Sequence, residues 1–432
     1  MIRDVVSEIA RNGGVPFFVG GYVRDRMLGL VPKDIDIEVY GILPENLKEI
    51  LGNFGDVVEC GESFGVYKLG NLDFAIPRKE KSTGRGHKTI DVDSDPFLDP
   101  KIACRRRDFT INAIMRNAIT GEVLDFFGGK SDLKNGVIRA VDPSVFTDDP
   151  LRMLRAAKFA ARFGFEIEQG TLQMMQKNRY YVRNLPIDRV FGEISDILMK
   201  GIKPSKGFRI LEYTGILELM LPEISALQSI EQSEKWHPEG NVFNHTMLCI
   251  DYNGSRTLPL QLARLYHDTG KIFGSIGHAE KSAEIVRDTF PKDLTNNKEI
   301  IEEVANIVAH HMIFYGGSVT RTRVKRIASK VNLPVLVEMV RSDKLTRPLP
   351  EEMLEEDRRH IDKFLEVYEE VQNEVAPIIL GRDIQREFPE IKPGPIFKDI
   401  LDAVYEEQLN DRFTDHETGI CMLKEVVRRF KI

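Results

Sequence analysis

The stretch FFVGGYVRDRMLGLVPKDIDIEVYG, residues 17–41, carries residues of the types and spacing that chemistry needs. If DIDIE is a strand, its side chains alternate, so Asp34, Asp36 and Glu38 share one face while Ile35, Ile37 and Val39 face a core. A row of carboxylates repels itself, and a divalent cation relieves the repulsion. Two such ions about 3.5–4 Å apart, bridged by Asp34 and Asp36, suit attack of a hydroxyl on a nucleotide phosphate with pyrophosphate as the leaving group. Just upstream, Gly20 and Gly21 break a strand into the start of a helix, whose free backbone N–H groups suit a phosphate, and Arg24 adds a charged fork. Asp73, in NLDFAIPRKEK, is the candidate third carboxylate from a neighbouring strand, and Glu38 reads as the strand's solvated end.

Positioning such a row takes a small sheet. Through about residue 130, short apolar runs (VPFFVGG, DIDIEVYG, GVYKLGNLDFAI, EVLDFFGG) alternate with glycine turns and helical stretches, which predicts an α/β or α+β domain. From residue 145 strands nearly vanish. Leu151, Leu154, Ala157 and Ala161 recur at helical spacing, with breaks at Pro186, Pro204, Pro222, Pro238 and Pro259. Six of the nine histidines fall between residues 237 and 311, which marks a separate domain with its own chemistry. A charged helix follows residue 350, and a Gly and Pro turn joins it to a final helical pair.

The 432 residues, 42% hydrophobic and 8% aromatic, are ordinary for a globular protein of several domains. A net charge of −7 excludes a uniformly basic nucleic-acid coat, so an RNA partner would meet a local patch. Cys60, Cys104, Cys249 and Cys421 show no CxxC spacing and point to neither a disulfide framework nor a structural zinc site. The charged amino terminus is unlike a signal peptide, and no apolar run approaches the ~18 residues of a membrane span. These features predict a protein of the cytoplasm.

Four motifs in order, GGYVRDRMLG with DIDIEVYG, CRRRDFTINAI, LDFFGGKSDLKNGVIRAV and DDPLRMLRAAKFAARFGF, resemble those of the bacterial CCA-adding tRNA nucleotidyltransferases and the related poly(A) polymerases. The resemblance implies a polymerase-β-like head that uses Mg2+, ATP, CTP and tRNA. It places Arg107 beside the triphosphate, with Asp108 and Asn112 as braces, and leaves Arg105 and Arg106 as surface charge. In the last motif Asp149, Arg152, Arg155 and Lys158 follow at three-residue steps along a helix. Asp149 only accepts hydrogen bonds and Arg152 only donates, so together they suit the pairing edge of cytosine or adenine. Asp148 stands where the family has Glu, and Lys158, where it has Arg, lacks the bidentate fork. The glycines Gly84 and Gly86 fall in a loop that, in the resembling enzymes, helps switch between nucleotides.

The segments KWHPEGNVFNHTMLCID, ARLYHDTGK, GHAEKSAEIV, VAHHM and RSDKLTR resemble the HD phosphohydrolase pattern. That resemblance implies His245, His267, Asp268 and Asp343 as metal ligands, with His278 and His310 as candidates for a second ion, and leaves His237 and His311 structural. Imidazole and carboxylate together suit Mg2+, Mn2+ or Ni2+, which activate water against phosphate esters. In the relatives such a domain removes 2′ or 2′,3′-cyclic phosphates.

The expected architecture is α+β: a mixed-sheet nucleotidyltransferase head at 1–135, an all-α neck and body at 136–235, an all-α HD domain at 236–348 and a helical tail at 349–432 that grips RNA or packs on its neighbour. The expected activity is template-independent transfer of CMP and AMP to tRNA 3′ ends, with an HD hydrolase appended. The alternatives are a CC-adding, A-adding or poly(A)-adding relative, and an HD hydrolase with a nucleotide-sensing head.

Overall fold

The computed structural model describes residues 1–60, 65–82, 90–314 and 317–430. It divides into two compact units, Met1–Ser225 and Ala226–Ile432. The first unit opens with the helix Ile2–Arg11 and strands β1 (Val15–Phe18), β2 (Ile35–Tyr40), β3 (Val58–Cys60), β4 (Val66–Leu69) and β5 (Leu72–Ala75). A hairpin of β6 (Arg78–Ser82) and β7 (Ile90–Ser94) follows, then β8 (Met115–Asn117) and β9 (Val123–Leu124). Seven of these form one sheet in the order β3-β4-β5-β2-β1-β8-β9. Its ladders are antiparallel except that β2 and β5 run parallel, with Asp36 opposite Asp73 and Ile37 opposite Phe74.

The alternation expected of DIDIE holds from Asp36 onward. Ile37 and Val39 are buried against Leu47, Leu72, Phe74 and the helical Val5 and Ile9. The opposite face is not solvated, because Phe17, Tyr40, Ala103, Cys104 and Met115 build a second core there. Glu38 is therefore buried, which corrects its reading as a solvated strand end. Asp34 precedes β2 and is exposed. The segment expected to switch nucleotides has strands on both flanks, while Gly84 and Gly86 lie outside the described residues.

Beyond the sheet the first unit is helical, apart from a two-strand pairing of Val137–Ile138 with Glu166–Ile167. The helix Leu151–Phe163 buries Leu151, Leu154, Ala157 and Ala161, and Gly164, at φ +72°, ends it in the left-handed conformation that glycine tolerates. Its alanines let the helix Pro204–Tyr213 come close: a Cβ on Gly207 would stand 3.2 Å from the Ala157 carbonyl and 3.3 Å from Ala161. Pro204 lies in the first turn of its helix, where no N–H is needed, as does Pro259 in the second unit.

The second unit packs the helices Val242–Ile250, Leu258–Tyr266, His278–Asp293, Lys298–His310 and Leu333–Leu345, followed by Glu351–Val371. The final pair, Pro395–Leu409 and His416–Arg429, shares a core of Ile379, Ile384, Phe397, Ile400 and Leu423. Among the described residues no helix is long and apolar enough to cross a membrane.

Candidate active sites

In the first unit the turn after β1 brings the sheet's carboxylates to an arginine. Gly20 has φ +63°, and a Cβ there would stand 2.9 Å from Arg107 Nη1 and 3.6 Å from Asp36 Oδ2. A side chain at this position would be strained and would displace the guanidinium. Gly21 has no such need, since its Cβ would meet nothing nearer than Arg24 Nη2 at 3.5 Å. A cavity of about 260 Å3 is lined by Asp36, Asp73, Arg78, Arg106 and Arg107. Burial pushes the Asp36 carboxyl up, and Asp73 and Asp34 add to this against the pull of Arg107. Asp73 Oδ1 is buried and accepts no hydrogen bond, with Lys68 Nζ at 3.4 Å.

A pair of adjacent carboxylates, one of its oxygens unbonded, fits a divalent cation. The fit is open. Among the described residues, the groups of three or more ligand atoms within 4.8 Å of one another all lie in the second unit, so Asp34, Asp36 and Asp73 form no closed cage.

Around this pair the arginines divide differently from expectation. Arg24 turns inward: it donates to Asp25 Oδ1 at 2.7 Å and Asn112 Oδ1 at 2.7 Å and packs 4.9 Å from the rings of Phe159 and Phe163. It braces the turn against the helix Leu151–Phe163 and offers no fork to a phosphate, because a buried guanidinium takes the carboxylate and π-faces nearest it. Arg105 is exposed and pairs with Asp142, as a surface charge does. Arg106 instead donates to buried Glu38 Oε1 at 2.9 Å, and Tyr40 donates to Oε2 at 2.9 Å. Asp108 accepts from Asn112 at 2.9 Å, from the Phe109 N–H at 2.8 Å and from Arg155 Nε at 2.7 Å, which is a brace.

The helix Leu151–Phe163 lays its polar residues in a line, and each already has partners. Arg152 donates to the carbonyls of Val145 at 2.7 Å and Arg106 at 2.6 Å. Lys158 pairs with Glu193 at 2.7 Å and Asp196 at 3.6 Å, and Arg155 lies 3.9 Å from Glu193. Arg155 and Lys158 are thus clamped to carboxylates of the helix Ile187–Lys200 and Asp108, away from the role of free phosphate contacts. Asp149 is half-buried and faces Arg189. Sequence spacing hid Arg189 and Glu193, since both belong to a helix forty residues downstream that reads as an ordinary amphipathic one.

In the second unit His245, His267, His278 and His311 converge with Asp268 and Asp343, all buried. Each imidazole is oriented through Nδ1. His267, His278 and His311 set Nδ1 at 2.9, 2.8 and 2.7 Å from the carbonyls of Arg264, Ser275 and Val308, three residues back. His245 sets Nδ1 at 2.8 Å from Glu239 Oε1. A carbonyl accepts only, so the carbonyl-bonded nitrogens carry the proton and turn the Nε2 atoms inward. His245 Nε2 lies 3.0 Å from Asp343 Oδ1, and His278 Nε2 3.2 Å from Asp268 Oδ1. His267 Nε2 lies 3.3 Å from Asp268 Oδ2, yet is buried without a hydrogen bond.

Inward Nε2 atoms beside two carboxylates are a donor set suited to divalent ions, and burial, reinforced by His267, pulls the His311 ring down to about 4, so it stays neutral. His311 takes the place expected of His310: it stands 3.9 Å from Asp268, whereas His310 Nδ1 meets the Asn306 carbonyl at 2.8 Å and the residue is absent from the grouped ligands. One residue along a helix is about 100° around it, which separates the two rings. Glu239, half-buried between His237 and His245, was also missed; its hydrogen bonds outweigh burial and pull its carboxyl down to about 2.

Comparison with known proteins finds matches over both units. Residues 16–139 match the family described as the poly A polymerase head domain, 164–227 the probable RNA and SrmB-binding site of polymerase A, and 241–358 the HD domain. The multifunctional CCA protein of Nitrosospira multiformis is 36% identical over 332 residues, covering 73% of this chain and 76% of that one.

The chain belongs to the family of multifunctional CCA proteins.

A second member, from Nitrosomonas europaea, is 38% identical over 281 residues, which cover 62% of this chain and 66% of that one, just under two thirds of its length. The CCA-adding enzyme of Bacillus stearothermophilus in complex with CTP shares the fold at a TM-score of 0.68 and 20% identity, over 99% of this chain and 97% of that one. The nucleotidyltransferase head and the HD unit of this CCA-family chain are both metal-dependent classes, and both carry carboxylate or imidazole groups suited to it.

Proposed function

We propose that the chain adds CMP and AMP, taken from CTP and ATP, to the 3′ end of tRNA without a template, and that its histidine site hydrolyses phosphoesters. The observation that carries the first part is the registered pair Asp36 and Asp73 beside Arg107, which Gly20 allows to approach. Mg2+ at the carboxylate pair would supply activation of the attacking hydroxyl and charge neutralisation at the phosphates. Asp34, on the approach to β2, is the further carboxylate in reach of this pair. In the transfer, the tRNA 3′ oxygen bonds to the α-phosphorus, the α–β bridging bond breaks and pyrophosphate leaves. Arg107 takes charge from the triphosphate, and the N–H groups of the Gly20 turn add dipoles.

Asp149 selects the base. A carboxylate accepts from the amino group of cytosine or adenine, whereas uracil and guanine present a carbonyl at that position and repel it. Two of the five donors of Arg152 are spent on carbonyls, which leaves others for a ring nitrogen. Residues 1–135 and 136–235 would carry transfer, 236–348 hydrolysis, and 349–432 RNA binding or packing.

In the second unit His245, His267, Asp268 and Asp343 would hold one divalent ion, Mg2+, Mn2+ or Ni2+, and His278 with His311 a second, to activate water against 2′ or 2′,3′-cyclic phosphates. The protein would work in the cytoplasm, where its buried thiols Cys104 and Cys249 stay reduced.

The test uses Mg2+ and tRNA transcripts ending before CCA, after C and after CC, each given CTP, ATP or both, with product ends sequenced. Ordered completion that halts after CCA is the expected result. Addition limited to one nucleotide type, or an unbounded A tail, overturns it in favour of a specialised relative.

A further inference from the structure

The helix Val242–Ile250 carries a second ligand-type residue one turn beyond His245. Side chains four apart share a helix face, and Cys249 Sγ stands 3.5 Å from His245 Nε2. A nitrogen bonded at about 2.0–2.1 Å and a sulfur at about 2.3 Å to one tetrahedral ion would lie about 3.6 Å apart. His245, Cys249 and His267, all buried, each bring one ligand atom within 4.8 Å of the other two. His267 Nε2, buried without a hydrogen bond, is a group that such an ion would satisfy.

The sulfur is not tied up by its other neighbour. Thr346 Oγ1, at 3.9 Å, donates its proton to the Ser342 carbonyl at 2.6 Å. Close by, the wholly buried Arg264 donates to two neutral oxygens, Gln261 Oε1 at 3.1 Å and the Glu338 carbonyl at 3.4 Å, and its Nε makes no hydrogen bond. The Glu338 carboxylate is occupied by Arg341 at 2.9 Å and the Ser255 N–H at 3.0 Å. Burial pulls the Arg264 guanidinium down to about 10, and Cys249 comes ahead of Glu338 among the groups that oppose this. A buried cation short of an anion is costly, and a thiolate beside it offsets the cost.

We propose that Cys249 is a ligand of the ion held by His245 and His267, giving the site a sulfur donor. This rests on the reading of the second unit as a metal-dependent hydrolase. On ligation the sulfur–metal bond forms and the thiol proton leaves to solvent. A thiolate among imidazoles suits Zn2+ or Ni2+ better than Mg2+ or Mn2+, whose preferred donors are oxygens.

The test uses the full-length protein, stripped of metal by EDTA, freed of chelator and kept reduced with a phosphine. Titration with Co2+ should raise, saturably, a near-ultraviolet sulfur-to-cobalt charge-transfer band. Carboxylates of the first unit bind cobalt through oxygen and add nothing to it. Cys249→Ser should lose the band and bind Co2+ about ten- to hundredfold more weakly, at least the loss that follows removal of a supporting group. His267→Ala should lose the band too, while Cys421→Ser, which replaces the exposed thiol, should keep it. Cobalt that supports hydrolysis of a 2′,3′-cyclic nucleotide without the band, or a band that persists in Cys249→Ser or His267→Ala, overturns the ligand and leaves the hydrolase standing. A band without hydrolysis upholds the ligand and overturns the hydrolase, and the absence of both overturns both.

Discussion

Arg189 grips Asp149 with both terminal nitrogens, Nη2 to Oδ2 at 2.9 Å and Nη1 to Oδ1 at 3.3 Å. The pair fixes the plane of the carboxylate assigned to base reading, whose Oδ1 also accepts from the Leu151 N–H at 3.1 Å. Because the pair is partly exposed, it contributes ~1 kcal/mol or less to stability. Arg189→Ala should therefore leave the melting temperature nearly unchanged, raise KM for CTP and ATP about three- to tenfold and relax discrimination against UTP. Arg189→Lys, with charge but no fork, should fall between. Wild-type selectivity in Arg189→Ala would show that the pair orients nothing.

Burial raises the Asp36 carboxyl, and Asp73 and Asp34 repel its charge against the pull of Arg107. Asp36→Asn should abolish nucleotide incorporation, by on the order of 10³-fold or more, because several kcal/mol of transition-state stabilisation go with the carboxylate. At neutral pH in EDTA it should melt no lower than wild type. Phosphoester hydrolysis should persist. A variant that unfolds early would make Asp36 structural.

Gly20 and Gly21 stand side by side but differ in what they need. Gly20→Ala meets left-handed strain of about 1–2 kcal/mol and pushes on Arg107, so triphosphate KM should rise roughly tenfold. Gly21→Ala should be near wild type in both melting and incorporation assays. The reverse order would contradict the geometry of the turn.

Asp108 should make the first unit acid-sensitive. Burial alone would raise its carboxyl, but Arg155, Asn112 and the Phe109 N–H outweigh this and hold it below the usual range. A depressed carboxylate contributes stability that is present above its unfolded pKa, about 4, and lost as pH falls through the folded value. Asp108→Asn should cost about 2–3 kcal/mol at pH 6, less than the ~3–5 of a fully buried pair because the Arg155 side chain is 33% exposed. Circular dichroism melts should show the gap between wild type and variant closing below pH 4; a gap independent of pH would refute the linkage.

His311 and His310 are neighbours with opposite expectations. His311→Ala should lower the divalent metal content of the second unit and its phosphoester hydrolysis at least tenfold, while His310→Ala should change neither. Metal retained after dialysis, measured by plasma mass spectrometry, separates the two. CCA addition should survive both substitutions. Loss of metal in His310→Ala alone would return the role to that residue.

Local order along the chain determined much of this protein. The alternation of DIDIE and the helical spacing after residue 150 follow from the two side-chain periods of strand and helix; the first appears in the structure from Asp36 onward, the second throughout the helix Leu151–Phe163, and the glycine turn stands where it was expected. The order of the motifs carried the family, and histidine usage carried the second site. What the tertiary structure decided are the pairings across distant elements. Glu38 is buried because a second core covers the other face of β2, which no strand pattern can announce. Arg24 and Arg107 are both arginines near a glycine turn, yet Phe159, Phe163 and Asp25 draw the first inward and the sheet leaves the second beside Asp36. The choice of His311 over His310, and of Arg189 as the partner of Asp149, depends on helix rotation and packing angle, quantities set by the whole core rather than by adjacent residues.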